Sequence, residues 1–366
     1  MSKVYDLRSY KLHDEEKAVP LLEIVYNKWP HFDLRCTSRE HYTWKYLDTP
    51  YNYKCIVYAT DGDEIIGSCH TIVKRVKFFD TIHMSGIGGD AAVHPDYRSI
   101  GVFNSVKEIQ DTLMKEAGVH LCHSITGNPI LIESSKRRAS PCIPYDFIHL
   151  IRIEDLLKYV EAVRNTGQGV RRLGKNILNR ISTLKPATKS VSHEYSTDVT
   201  EYDRFEPEYQ TFWSMISKHY DFIYERDTSY LNWRYGDHRG GTYIKAHIKK
   251  DDSILGFVVL RINKYIEDYP EGYIVDLITM PGREDVLRFL LAYSIRKISE
   301  EGANVIHCWA FRDSNLARIA SEFSFHQLAK LNIHFRKELV SEKEIKRFNE
   351  LDLQRIHLSY GDHDWI

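Results

Sequence analysis

The sequence has no long uncharged apolar run, no paired C-x-x-C cysteines and no excess of either charge sign. The first absence excludes a membrane-spanning helix, which needs about 18 or more consecutive apolar residues. Met1 to Lys17 is charged and polar rather than basic and then apolar, so no secretory leader is read there. A soluble, cytoplasmic protein is expected. Fifty Lys and Arg stand against 51 Asp and Glu, a formal net charge of −1. That balance lacks the positive field that general nucleic-acid binding requires. The six cysteines, Cys36, Cys55, Cys69, Cys122, Cys142 and Cys308, are scattered through mostly apolar, strand-like runs. They read as reduced, buried thiols. In His120-Leu121-Cys122-His123 a strand would turn His120 and Cys122 to one side and His123 to the other, so no metal is expected.

What is present is a strand that ends at a proline and turns into a helix. Residues 84–103 run through Gly86, Gly88, Gly89 and Asp90 to Val93-His94-Pro95-Asp96-Tyr97, then through Arg98-x-x-Gly101. Val102, Phe103, Val106, Ile109, Leu113, Met114 and Ala117 then recur at helical spacing, and Gly118 stops the run. The start of such a helix offers several unpaired backbone N–H groups and the positive end of the peptide dipoles. Arg98, Ser99, Ile100, Gly101, Val102 and Phe103 therefore read as a cradle for a pyrophosphate, with Gly101 allowing close approach.

The stretch resembles the acyl-CoA loop of the GNAT acetyltransferase superfamily, in which Arg or Gln, two residues, Gly, one residue and a small residue follow the fourth strand. Phe103 takes the place of the small residue. The resemblance implies an α/β (α+β) fold with a twisted, mostly antiparallel mixed sheet flanked by helices. It also implies acetyl-CoA as acyl-donor substrate, without a metal. In the superfamily the thioester lies where the fourth and fifth strands splay, facing a backbone N–H of the fourth strand, here Ala92 or Val93. The superfamily's general acid is a tyrosine seven residues after an Asn at the next helix start. Asn128 matches that Asn, but Ser135 stands in the tyrosine's place, and Tyr145 would serve only by a folded-back loop.

The chain also repeats itself. Trp44-Lys45-Tyr46-Leu47-Asp48 recurs 189 residues later as Trp233-Arg234-Tyr235-Gly236-Asp237, and Gly67 recurs as Gly256 at the same offset. Asp90 and Cys122 match Asp276 and Cys308, and Gly118 matches Gly302, with small drifts. Such order points to duplication of one unit. The expected division is an acyl-CoA-binding domain at 1–155, a basic, partly helical linker at 156–198, a degenerate copy at 199–340 and a tail at 341–366. In the second copy Met280-Pro281-Gly282-Arg283-Glu284-Asp285-Val286 replaces the cradle, and its two carboxylates would repel phosphate. That copy is left for packing, acceptor binding or dimerisation. The linker carries Arg164, Arg171, Arg172, Lys175, Arg180 and Lys185, either a solvated helix face or a contact for an anionic ligand or surface.

Three side chains are candidates for proton transfer: Asp90 on the cofactor strand, His123 on the expected fifth strand, and Tyr145. Asp276 repeats Asp90 in the copy without a cradle, whereas Trp309 stands where His123 would recur. The expected activity is acetyl transfer from acetyl-CoA to a primary amine of a small acceptor, such as an amino sugar or polysaccharide precursor, by direct attack in a ternary complex. The glycine-rich strand and the repeat also resemble the aminoglycoside-acetylating, enhanced-intracellular-survival type, although Ser341 to Ile366 is too short for that type's third domain. An aminoacyl-tRNA-dependent ligase of tandem GNAT type and a non-catalytic acyl-CoA-binding or scaffold protein are the alternatives, and a homo-oligomer is left open.

Overall fold

Near-continuous apolar runs on either side of a short polar turn set the second and third strands. In the computed structural model, which describes residues 5–165 and 199–363, β1 (Asp6–Ser9), β2 (Cys55–Asp61), β3 (Glu64–Phe78) and β4 (Thr81–Val93) pair antiparallel in that order. Helices α1 (Glu15–Tyr26) and α2 (Ser38–Tyr42) precede β2. Helix α3 (Val102–Glu116) carries the chain from β4 to β5 (His123–Thr126), which lies parallel to β4. Then come α4 (Pro129–Arg137), β6 (Phe147–Ile153) and α5 (Leu156–Asn165).

The later strands are β7 (Val199–Glu201), β8 (Phe222–Tyr224), β9 (Ile244–Lys250), β10 (Ser253–Asn263), β11 (Glu271–Thr279), β12 (Val305–Phe311), β13 (His326–Phe335) and β14 (Ile356–His357). The main path of the sheet runs β1-β2-β3-β4-β5-β13-β6-β12-β11-β10-β9-β7. It has the same pattern read from either end. β6 pairs with β12, β13 pairs with β5, and the two lie side by side at the centre. β2 and β9 are both seven residues long and start 189 residues apart. The register slips between Ser68 and His70 on β3, and between Val259 and Leu260 on β10, so Asp90 and Asp276 sit at matching bulges.

The Trp motifs meet at the junction of the halves. Each lies in a π-helical turn, Thr43–Leu47 and Asn232–Gly236. The indoles of Trp44 and Trp233 stack with centroids 5.2 Å apart, and each Nε1–H donates to the other's carbonyl oxygen, at 2.8 and 3.2 Å. Gly240 packs so tightly on Trp44 that a Cβ there would lie 2.4 Å from the ring.

Several expectations meet corrections. On α3 the buried stripe steps by four through Val102, Val106, Gln110 and Met114, which leaves Phe103 44% and Ile109 37% exposed. Cys142 is exposed and Cys36 half-buried, while the other four thiols are buried. Residues 341–363 are no loose tail: Ile356, Leu358 and Tyr360 alternate inward and join the main core with Phe348 and Leu351. Arg164 lies on α5, and the remaining basic linker residues, Arg171 to Lys185, lie outside the described residues. Among the described residues no helix is long and apolar enough to cross a membrane.

Candidate functional site

β4 and β5 touch at Ile87 and His123, with a bridge at Met84 and Val119, and then diverge. The gap opens into a cavity of about 1110 Å³. Gly88 to Ala91 form one wall and His123 to Thr126 another, while Phe103 and Lys107 reach in from the start of α3. The C-terminal half supplies Glu271, Tyr273 and His307, and the chain's last described turn supplies Tyr360 and His363.

The bareness of β4 has two causes. A Cβ at Gly86 would strike the Thr71 methyl at 2.6 Å and Cys122 Sγ at 3.3 Å, so that glycine serves core packing. A Cβ at Gly88 would meet Nη2 of Arg336 at 2.9 Å, and Gly88 does line the cavity. Arg336 is itself held by Gln110 Oε1 at 3.0 Å and Asp111 Oδ1 at 2.6 Å.

After β4 the chain turns through Pro95–Tyr97 into α3. Ser99 and Gly101 have φ of +67° and +91°, and α3 begins at Val102 with no side chain capping its N-terminal N–H groups. No heavy atom lies within 4 Å of where a Gly101 Cβ would project. Val102 points the other way, into the core against Gly67, so only its backbone faces the turn. Ile100 and Phe103 are both exposed apolar side chains. Arg98 Nε donates to the Val93 carbonyl at 3.4 Å. Of these residues Phe103 alone lines the cavity. Ala92 is buried opposite Ser68, and Val93 is paired with Gly67. Asn128 stands at the start of α4, its N–H donating to Thr126 Oγ1 at 3.0 Å. Ser135 lines the cavity.

The corresponding turn in the C-terminal half is closed by its own charges. Arg283 Nε donates to Asp285 Oδ1 at 2.8 Å, and Glu284 pairs with Arg318 at 2.6 Å. The guanidinium beside Asp285 holds that carboxyl below the usual range, against partial burial. β11 and β12 also part after Tyr273 and His307, but the gap there is about 350 Å³ and is lined by the chain from Leu353 to Ser359.

The three proton-transfer candidates fare differently. Asp90 sits at φ +43° in the bulge, its Oδ2 accepting from Lys45 Nζ at 2.7 Å and the Tyr46 hydroxyl at 2.6 Å. Its carbonyl accepts from His70 Nδ1 at 3.0 Å. In the other half the Tyr235 hydroxyl likewise donates to Asp276 Oδ2 at 3.3 Å, beside a buried Arg226 at 2.9 Å. Tyr145 leaves the cavity, donating to the Leu351 carbonyl and packing on Phe311. His123 is buried on the cavity wall. Its Nδ1 lies 2.6 Å from the Tyr224 hydroxyl, which is 3.1 Å from Ser85 Oγ, and the Ser85 hydroxyl donates to the Leu121 carbonyl at 2.8 Å.

A second polar group on the cavity wall has no local signature in the sequence. His149 Nε2 is 2.9 Å from His307 Nδ1 and 2.8 Å from the Tyr360 hydroxyl. Burial, with His307 beside it, pushes the His149 imidazolium well below its usual range. Glu271 accepts from the Tyr273 hydroxyl at 2.6 Å, and His307 Nε2 lies 3.8 Å from its other oxygen. Burial works against ionisation of Glu271, but His307 and Tyr273 outweigh it and hold the carboxyl below its usual range. Only the alternation of Glu271 and Tyr273 on one strand face was available to reveal part of this group. Among the described residues no group of three or more His, Cys, Asp or Glu side chains is arranged to hold a metal ion.

No protein-family model matches the sequence, and a search of curated proteins finds no match either. Solved structures do match. N-myristoyltransferase of Saccharomyces cerevisiae, with bound myristoyl-CoA, superposes with a TM-score of 0.62 at 11% identity over 98% of this chain and 87% of that one. A GCN5-related N-acetyltransferase of Anabaena variabilis gives 0.58 at 9% identity over 90% and 72%. Eis1 of Mycobacterium abscessus gives 0.50 at 11% identity over 91% and 74%. The chain has the fold of the GNAT N-acyltransferases.

Proposed function

We propose that the protein transfers an acetyl group from acetyl-CoA to a primary amine of a small acceptor by direct attack within a ternary complex. The observation that carries this reading is the gap between β4 and β5, which opens beside a helix start with uncapped N–H groups and empty space over Gly101. In this reading the chain is two copies of one unit, residues 1–155 and 199–340, with strands exchanged at the centre. The first copy holds the donor. Its pyrophosphate lies at Arg98 to Phe103, its pantetheine runs past Gly88 and Gly89 toward Asn128, and the thioester carbonyl faces a backbone N–H at Ala92 or Val93. A preorganised donor of that kind lowers an acyl-transfer barrier by about 3 to 4 kcal/mol.

His123 is the base in this scheme, because it is a buried imidazole on the cavity wall, with Nδ1 in contact with the Tyr224 and Ser85 chain. The amine nitrogen attacks the thioester carbon, the new N–C bond forms, the C–S bond breaks, and the released proton passes to His123. CoA departs as a thiolate that takes up a proton. Asp90, engaged by Lys45 and Tyr46, anchors the bulge that shapes β4 rather than accepting that proton. Tyr145 has no part in it.

The test is thermal stabilisation by acetyl-CoA, CoA and longer acyl-CoAs, for the wild type and for Gly101→Glu. At φ +91° any side chain is strained, and a carboxylate there also repels phosphate. Wild type is expected to gain several degrees with acetyl-CoA and the variant roughly none at equal concentration. A wild type indifferent to every thioester overturns the assignment. Stabilisation without release of thiol across a panel of amines would instead favour a non-catalytic acyl-CoA-binding protein.

A further inference from the structure

Two cations on the cavity wall share one carboxylate. Lys107 Nζ lies 2.6 Å from Asp111 Oδ2, and Arg336 Nη1 lies 2.6 Å from Asp111 Oδ1. Lys107 and Arg336 line the cavity and Asp111 does not. Their side chains are only 20% and 18% exposed. The other cations of the wall are matched or exposed: Lys45 meets Asp90 at 2.7 Å, and Arg138 is exposed. Of the remaining carboxylates there, Glu338 is exposed and, among the described residues, within ion-pair distance of neither cation, while Glu271 stands on β11, four strands across the sheet from β5. The thiols of Cys69 and Cys122, near enough to feel the guanidinium, are pushed up by burial, Cys69 to about 11, and add no charge. Two positive charges therefore face one negative charge, and burial penalises the excess.

The guanidinium is also held so that one edge is left over. Nη1 donates to Gln110 Oε1 at 3.0 Å and to Asp111, and Gln110 is itself fixed by donating to the Cys55 carbonyl at 3.2 Å. Nε and Nη2, the side-on edge of the fork, make no hydrogen bond among the described residues. Nη2 borders Gly88, where a Cβ would lie 2.9 Å from it, so the bare strand keeps that edge open to the cavity. The place is the closed end of the gap. Arg336 N donates to the Cys122 carbonyl at 2.7 Å, and its neighbour Phe335 pairs with His123, which pairs in turn with Ile87. Arg336 thus stands one row from His123. Its side chain faces α3 and that of His123 faces Tyr224, and the parting of β4 from β5 joins the two sides. Two parallel N–H groups on a guanidinium edge match the two oxygens of a carboxylate, and the ammonium of Lys107 adds a point charge beside them.

We propose that Arg336 and Lys107 form a carboxylate-binding site in the cavity, so that one of the two substrates carries a carboxylate: the amine, as in an amino acid, or the acyl group, as in the half-thioester of a dicarboxylic acid. This deepens the acyl-transfer reading and rests on it for the role of the ligand, but the site is measurable by binding alone. A bound carboxylate sets two negative charges against two positive ones and fastens one end of the substrate a row away from His123. Arg336 belongs to β13, so the C-terminal half supplies selectivity to a site whose helix start belongs to the N-terminal half.

The experiment is calorimetric titration of the full chain with pairs that differ only by a carboxylate. With CoA saturating, 4-aminobutyrate is compared with n-propylamine and glycine with methylamine; without CoA, glutaryl-CoA is compared with butyryl-CoA. The expected result is that the carboxylate member binds at least about tenfold tighter in the amine pairs or in the thioester pair, and the arm that shows it identifies the source. Arg336→Met is expected to erase the preference, and Arg336→Lys, which keeps the charge without the fork, to retain only part of it. Lys107→Met, which removes the other cation, is expected to reduce it and serves if the Arg336 variants fail to fold. Equal binding within all three pairs by the wild type overturns the proposal, and so does a preference undiminished in Arg336→Met. If acetyl-CoA still binds in that case, the acyl-transfer reading stands without the carboxylate site. A wild type that binds no CoA thioester removes that reading, whereas a carboxylate preference in the amine pairs would survive it.

Discussion

At the scale of single residues, His123 is the position on which turnover should depend most. Its base form relies on a chain of three hydroxyl and imidazole contacts that ends at the Leu121 carbonyl. His123→Ala is expected to lower kcat by roughly 10²- to 10⁴-fold, the usual contribution of a positioned general base, with KM for acetyl-CoA little changed. Tyr224→Phe should cost about tenfold, because the ring stays packed while the group that orients Nδ1 is lost. Steady-state thiol release with a reactive amine measures both, and a His123→Ala enzyme of wild-type kcat removes it from the mechanism. Part of this was legible in the sequence. His123 stood out because its counterpart is Trp309, and Asp90 lost standing because Asp276 repeats it, which the paired Tyr46 and Tyr235 contacts explain. Tyr145, by contrast, was placed only by its spacing from Asn128, and spacing does not fix where a loop folds. The contact of His149 with His307 was illegible, because residues 158 positions apart meet only through the sheet, and His307 reaches Glu271 only through the parallel pairing of β11 and β12.

At the scale of elements, the bulge in β4 depends on a histidine that must stay neutral. His70 Nδ1–H donates to the Asp90 carbonyl, and its Nε2 accepts from Tyr42, 3.0 Å away, which in turn accepts from Tyr58 at 2.6 Å. Burial pushes the His70 imidazolium down to about 4, although Asp90 favours the charged form. Below the unfolded value near 6.5 the unfolded chain binds a proton that the folded chain does not. Stability contributed by neutral His70 is therefore complete above pH 6.5 and is lost as the pH falls toward 4, by about 1.4 kcal/mol per pH unit and about 3 kcal/mol in all. Denaturant unfolding at several pH values should show this slope, and His70→Gln should remove one proton's worth of it. An unchanged slope in the variant means that His70 is already protonated in the folded state. His41 and His247, which burial holds down to about 3 and about 4, add slopes of the same sign. The strands and α3 were readable from apolar runs around polar turns, helical spacing and a stop at Gly118, whose φ is +68°. The place of the bulge was not, since nothing local marks one residue of β3 as opposing two of β4.

At the scale of the whole molecule, the central pairing of β6 and β13 decides whether half of the chain can stand alone. The motifs that recur at an offset of 189 residues do not say which strand pairs with which. β6 makes its pairs with β12 and β13, and β13 covers the free side of β5. Residues 1–155 alone would leave β5 as an open edge and β6 without a partner, and such edges invite pairing with other chains. The main core is divided in the same way, with Val76, Phe78 and Phe147 packed among Phe222, Trp309 and Phe335. Each large apolar side chain stripped of its cover forfeits about 1.5 to 3 kcal/mol, and several are stripped together. Against a typical net stability of about 5 to 15 kcal/mol, that loss leaves no folded monomer. Residues 1–155 expressed alone are expected to be insoluble, or to form a dimer in which each copy lends the other its β6, whereas the full chain melts in one transition. Size-exclusion chromatography with a circular-dichroism melt reads this directly. A monomeric 1–155 fragment that melts cooperatively would show instead that the exchanged strands decorate two cores that are each complete, and the donor site could then be studied without its partner half.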